Sequence, residues 1–405
     1  MKRHAFNSSP RARPEGSQTG RSEIELLICC ARAPKDKQTA ARIGGLLRQK
    51  IDWDCLVRLA HRHGLSQLLY WHLNPDFSQL VPAPALDGLR DNFHATARRN
   101  LFLTGELLRL LSIFKKNRVR AIPYKGPVLA VSVYRNLALR EFADLDILVS
   151  VEDVAQAKTL MEGLGYRPGF ELTRAQEAAY LRYHCEHLFK HKTDNTLVEI
   201  QWGIAPRFFS LELDYEGLWA RREPARVAGR QVFTLSPDDL LLVLAIHGGK
   251  HLWTTLEWVC GVAETIRAHA ERIDWRQVTS HAEKIGAARL FFMGLALARD
   301  LLGAELPPEV CRRIDRSAKV TRLAARARAT LLSPIDRRAG EVQTALFHLR
   351  SRERLADRLR YCLRLTTTPT VGDWQLMPNA SLPPFIYLPM RAARLVAKYV
   401  PKMIR

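Results

Sequence analysis

Lys125-Gly126 is followed, eighteen residues after the glycine, by Asp144-Leu145-Asp146-Ile147-Leu148-Val149. A glycine turn leading into a helix, then two acids one residue apart opening an apolar strand, restricts the fold sharply. Side chains alternate faces along a strand, so Asp144 and Asp146 point the same way and Leu145, Ile147 and Val149 face a core. Two carboxylates held that close repel each other unless a cation lies between them. Magnesium carrying a triphosphate meets that need, because it takes carboxylate and phosphate oxygens together.

The surrounding sequence predicts an α+β chain with a small mixed-sheet module between two helical regions. Residues 1–22 are basic and polar and predict a disordered arm rather than a secretory signal. Residues 23–118 carry helical apolar spacing, with a Pro-rich break at Pro82-Ala83-Pro84. Residues 119–235 form the expected α/β module. In it Val119–Tyr124 and Phe142–Ser150 read as strands, Gly126–Tyr134 and Glu152–Leu164 as helices, and the segments flanking Asp194-Asn195 and Ala228-Gly229 as hairpins. Residues 236–365 return to helix, opened by Ser236-Pro237-Asp238-Asp239: an N-cap, a first-turn proline and first-turn acids. Residues 366–405 hold a Pro-containing segment and a basic amphipathic tail from Ile386 to Arg405, suited either to packing on its own protein or to peripheral contact with an anionic membrane.

Composition narrows the partners. Lys and Arg number 62 against 41 acids, a formal charge of +21, which favours phosphate-rich partners: nucleotides, nucleic acid or an anionic membrane surface. The excess is spread along the chain, as a general preference for arginine also produces, so it names no particular anion. Seven cysteines without a CxxC spacing predict a reduced compartment and a cytoplasmic protein. Apolar runs such as Leu240–Ile246 fall short of a membrane span.

An isolated Asp-x-Asp is compatible with a strand end and two solvated acids. Its context argues for chemistry. Gly126 lies where backbone N–H groups at a helix start receive phosphate, and a third acid, Glu199, sits in the apolar strand Leu197-Val198-Glu199-Ile200. Three carboxylates on neighbouring strands suit two metal ions. His247 and His251 share one face of a helix, a spacing open to packing, to nucleotide or acceptor contact, or to a metal; Lys250 between them reaches phosphate or solvent. His184, His187 and His191 straddle a helix-to-strand change and are not expected to converge. No Gly-x-Ser-x-Gly elbow, Walker loop or dinucleotide fingerprint appears, which disfavours hydrolase, P-loop and dehydrogenase chemistry.

Lys125-Gly126, Tyr134, Arg140, Asp144-x-Asp146 and Glu199 before Trp202 together resemble the uncharacterised nucleotidyltransferase family of the polymerase-β-type superfamily. The resemblance extends to Ile51-Asp52-Trp53 through Leu68-Leu69-Tyr70, to Ser236–Leu240 with His247, His251 and Trp258, and to Leu382-Pro383-Pro384 through Leu395. It implies that Asp144 and Asp146 bind the Mg²⁺ (or Mn²⁺) of a nucleoside triphosphate. It also implies that Glu199 completes a second metal site and helps activate an acceptor hydroxyl. Gly126 would admit the β- and γ-phosphates, with Lys125 and Arg140 neutralising charge. Arg140 has a structural alternative, pairing with Glu141 or Asp144. The chain departs from the family pattern at Gln201, where His is frequent, and at Gly261, where Asp is expected. The acceptor is left open: small molecule, protein hydroxyl or nucleic-acid end. Two other readings fit the residues, a glycosyltransferase using Asp-x-Asp and a noncatalytic nucleotide- or nucleic-acid-binding scaffold.

Overall fold

The computed structural model describes residues 20–333 and 340–375. Most of the basic arm, and the tail from residue 376 on, lie outside these residues. The chain opens with α1 (Arg21–Cys30), α2 (Lys37–Leu47), α3 (Trp53–Arg62), α4 (Ser66–Leu73) and the long α5 (Ala83–Lys116). The proline break is the start of α5, with Pro82 as its N-cap and Pro84 in its first turn, where a missing N–H costs nothing. Strands and helices then alternate: β1 (Ala121–Pro123), α6 (Gly126–Ser132), β2 (Asp144–Val149), α7 (Val154–Gly163), β3 (Tyr166–Pro168), α8 (Arg174–Tyr183), β4 (Glu186–His191), β5 (Leu197–Gln201), α9 (Tyr215–Ala220), β6 (Glu223–Val227) and β7 (Arg230–Thr234). Helices follow again: α10 (Pro237–Lys250), α11 (Leu256–Ala268), α12 (Trp275–Lys284), α13 (Ala288–Leu302), α14 (Pro308–Arg316), α15 (Ala318–Leu331), α16 (Glu341–Ser351), α17 (Leu355–Thr367) and α18 (Val371–Gln375).

Strands β1 to β5 form one mixed sheet in the order β1-β2-β5-β4-β3, in which β2 and β5 run parallel and the other pairs antiparallel. The expected hairpin is β4–β5, and β6–β7 form a separate ribbon fastened to β1 by the Thr234 hydroxyl donating to the Pro123 carbonyl at 2.9 Å. The sheet has apolar cover on both faces. Leu145, Ile147 and Val149 enter a core with Leu103, Leu107 and Phe114 of α5 and Met161 of α7. Leu148 and Ile122, of opposite phase, enter the larger core.

That larger core joins the helices before the sheet to those after it. Leu26, Leu27 and Leu56 bury in the same cluster as Leu241, Phe291 and Leu331. Polar ties cross the same seam: the Cys260 thiol donates to the Ala31 carbonyl at 3.3 Å, and Arg32 Nη2 to the Leu302 carbonyl at 3.1 Å. Helix α10 starts as its sequence predicts, with the Ser236 hydroxyl accepting from the Asp239 amide. All seven cysteines are free thiols, Cys29 and Cys30 among the buried ones. No helix among the described residues is long and apolar enough to cross a membrane.

Candidate functional site

The parallel pairing of β2 with β5 sets Asp146 directly opposite Glu199, and the two-residue period of β2 brings Asp144 to the same side. All three carboxylates line one cleft of about 310 Å³. Its opposite wall comes from α10 and α11: His247, Lys250, His251, Glu257 and Trp258. Lys125 and Arg140 also line it, so every candidate except Gly126 has a side chain in one place. Gly126 opens α6 at φ +53°, a left-handed conformation that favours glycine, and brings the backbone into the turn beside the Asp144 carbonyl. A second glycine closes the far end. At Gly64, φ +67°, a Cβ would stand 2.7 Å from Glu257 Oε2, so the α3–α4 turn approaches the cleft only without a side chain.

The cations are engaged differently from the expectation for free phosphate ligands. Lys125 Nζ lies 3.1 Å from Asp146 Oδ1, with both side chains almost fully buried. Lys250 pairs with Glu186 at 3.1 Å, with its side chain largely buried. Arg140 pairs with Glu257 at 3.0 Å, rather than with Glu141 or Asp144, while its Nη1 is buried without a hydrogen-bond partner. Asn100 of α5 fixes that loop, donating through Nδ2 to the Leu137 and Arg140 carbonyls at 2.6 and 2.8 Å.

Gln201 ties the acids together. Its Nε2 donates to Asp146 Oδ1 at 2.8 Å and to Glu199 Oε2 at 2.9 Å, and its Oε1 accepts from the buried Tyr124 hydroxyl. The sequence marked Gln201 only as a departure; its position two residues after Glu199, on the same face of β5, was the available signal. Glu186 was missed altogether. It pairs across the sheet with Gln201, as the first residue of β4.

Electrostatically the two walls differ. Burial, followed by repulsion from Asp146, pushes Asp144 up to about 6. Burial, with Asp146, Glu186 and Asp144 as the next causes, pushes Glu199 up to about 7. On the helical wall, burial and then nearby cations depress His251 to about 4 and hold His247 well below its ordinary value. The two rings lie 4.6 Å apart and both pack on Trp258. Neutral, packed imidazoles fit the packing alternative for the pair. His184 and His187 both pack on Tyr180, while His191 lies apart, against Asp194.

Three hard oxygen donors on adjacent strands, two of them protonating abnormally easily, are a donor set that a divalent cation would relieve. The Lys125 ammonium already stands on one of them as an internal counter-charge. Among the described residues, no three His, Cys, Asp or Glu side chains are grouped closely enough to hold a metal ion in this arrangement.

A family model described as an uncharacterised nucleotidyltransferase matches residues 49–303, well over half of the chain. The match begins before α3 and ends just past α13, so it takes in both walls of the cleft. No curated protein and no solved structure matches the chain.

Proposed function

The chain belongs to the uncharacterised nucleotidyltransferase family, and we propose that it is a metal-dependent enzyme transferring a nucleoside monophosphate to an acceptor hydroxyl. The observation that carries this reading is the register that sets Asp146 against Glu199 with Asp144 on the same side of the cleft. Asp144, Asp146 and Glu199 would hold Mg²⁺ or Mn²⁺. The ion, when bound, supplies charge neutralisation on the triphosphate and on the pyrophosphate that leaves.

This chain's own residues supply the rest. Lys125, displaced from Asp146, has its ammonium within the cleft to meet phosphate oxygen, and Arg140 has an unpartnered guanidinium nitrogen there. The acceptor oxygen forms a bond to the α-phosphorus while the bond to the α,β-bridging oxygen breaks. Pyrophosphate takes that electron pair, and the hydroxyl proton passes to Glu199. Glu199 faces Asp146 directly across the strand pair, which places its carboxylate within the cleft to take that proton. His247, His251 and Trp258 form an uncharged wall opposite, where a base or an acceptor can pack.

Calorimetric titration with the four nucleoside triphosphates, with and without Mg²⁺, followed by transfer of α-phosphate label, tests the proposal. Saturable Mg²⁺-dependent binding should vanish in Asp144→Asn/Asp146→Asn, with label transfer down by about a thousandfold or more. Binding that ignores both metal and substitution would favour the noncatalytic anion-binding scaffold.

A further inference from the structure

Helix α17 carries leucines that the described residues leave exposed. Leu355, Leu359 and Leu363 are 71%, 64% and 64% exposed. Spaced four apart, they make one stripe, while Asp357 and Tyr361 on the other side of the helix are buried. Neighbouring α16 adds the exposed Val342 and Leu346. Single exposed leucines are ordinary, but a helix presenting three in line signals a partner surface.

The stripe is bordered by charge of one sign. Arg358, three residues beyond Leu355, lines a groove of about 360 Å³ with Arg350 of α16 and Lys319, Arg322 and Arg326 of α15. The three α15 cations stand on one helix face, and no acid lines the groove. The acids nearest in sequence are committed elsewhere: Asp357 to Arg360 at 3.7 Å, and Glu353 to the Arg289 amide at 2.5 Å. Cations grouped without counter-charges favour an anionic partner.

We infer that α15–α17 form a docking face for an anionic lipid surface, with the α17 leucines entering the headgroup boundary and the arginines meeting lipid phosphates. Two features choose this partner. A nucleic acid would use the cations and leave the leucines wet. A purely apolar partner would use the leucines and strand the cations. An anionic bilayer takes both, because binding there sums buried apolar area and electrostatic attraction. The face is separate from the carboxylate cleft, so the inference stands apart from the proposed reaction.

Flotation of the full-length chain with vesicles tests it, comparing phosphatidylcholine alone with phosphatidylcholine plus phosphatidylglycerol. Capture should require the anionic lipid and weaken with salt. Leu355→Ser/Leu359→Ser/Leu363→Ser should lower partitioning by about tenfold or more while leaving the thermal melt unchanged, since the leucines are exposed. Arg322→Glu/Arg326→Glu should lower it comparably, and it serves as the second probe if the leucine variant folds poorly. No capture of the wild type overturns the inference. So does capture that survives both variants, which moves the contact elsewhere, residues 376–405 included. Binding lost in the charge variant alone overturns it in favour of a polyanion. A shift from dimer to monomer in the leucine variant, without vesicle capture of the wild type, assigns the stripe to a second copy.

Discussion

The sheet wall and the helical wall of the cleft are both buried, yet burial acts on them in opposite senses. On the sheet wall it favours neutral carboxyls, lifting Asp144 to about 6 and Glu199 to about 7. On the helical wall it favours neutral imidazoles, depressing His251 to about 4. The sheet wall gathers acids and borrows a cation, Lys125; the helical wall gathers bases and spends its cation, Lys250, on Glu186 of the sheet. The difference separates a wall under electrostatic strain, which a ligand cation can relieve, from one that is already satisfied and can offer only shape. Each prediction below perturbs one wall and leaves the other as its control.

The largest effect should come from removing the borrowed cation. Lys125→Met leaves Asp146 buried with only the Gln201 amide as a partner. Breaking a buried pair typically costs about 3 kcal/mol or more, so urea denaturation should show a loss of that order. Mg²⁺ should restore more stability to the variant than it adds to wild type, because the ion and the ammonium compete for one carboxylate. If Mg²⁺ stabilises both equally, the lysine is not standing in a cation position.

The pH dependence separates the walls next. A raised carboxyl stays protonated in the folded chain where the unfolded chain has released its proton. Its contribution is thus complete below the ordinary values of 3.8 and 4.5, and is lost as pH rises through about 6 for Asp144 and about 7 for Glu199. A depressed histidine does the reverse: its contribution is present above 6.5 and is lost as pH falls through about 4 for His251. Relative to wild type, Asp144→Asn should therefore gain stability as pH rises from about 4 to about 7, and His251→Gln should gain as it falls over that range. Denaturation curves of the three proteins across the interval check this. Parallel slopes would erase the distinction between the walls.

What the sequence showed of this comparison follows from which interactions are local. Asp144 and Asp146 are legible because the two-residue period of a strand needs nothing outside the strand. The Ser236 cap, the β4–β5 hairpin and the packed phase of Leu145, Ile147 and Val149 are legible for the same reason. The Lys125–Asp146 pair and the Arg140–Glu257 pair join residues distant in the chain, and spacing cannot choose between such partners. The common core of the flanking helices is hidden likewise, since apolar periodicity shows that a helix has a buried face but not against what. Strand β3 and the start of helix α8 escaped for a different reason, although the helix-to-strand change after His184 marks where α8 ends. With three residues, β3 is too short for alternation, and α8 is strongly polar, although Thr173 and Gln176 form a capping box that was there to be read.

The smallest expected effect tests how finely the sheet wall is set. The Tyr124 hydroxyl donates to Gln201 Oε1, which leaves Nε2 as the end that faces Asp146 and Glu199. Tyr124→Phe removes that constraint, so the amide can turn its oxygen toward two carboxylates. One buried acceptor left unmet costs about 1 kcal/mol, a modest loss in denaturation. The sharper readout is catalytic. The Gln201 hydrogen bond favours the ionised form of Glu199, and losing it raises that carboxyl further. In a transfer assay the acidic limb of the pH–rate profile should move to higher pH, while nucleotide affinity at alkaline pH stays within a few-fold of wild type. An unmoved limb would show that Gln201 is oriented by its carboxylate partners alone, and that the tyrosine contributes only packing.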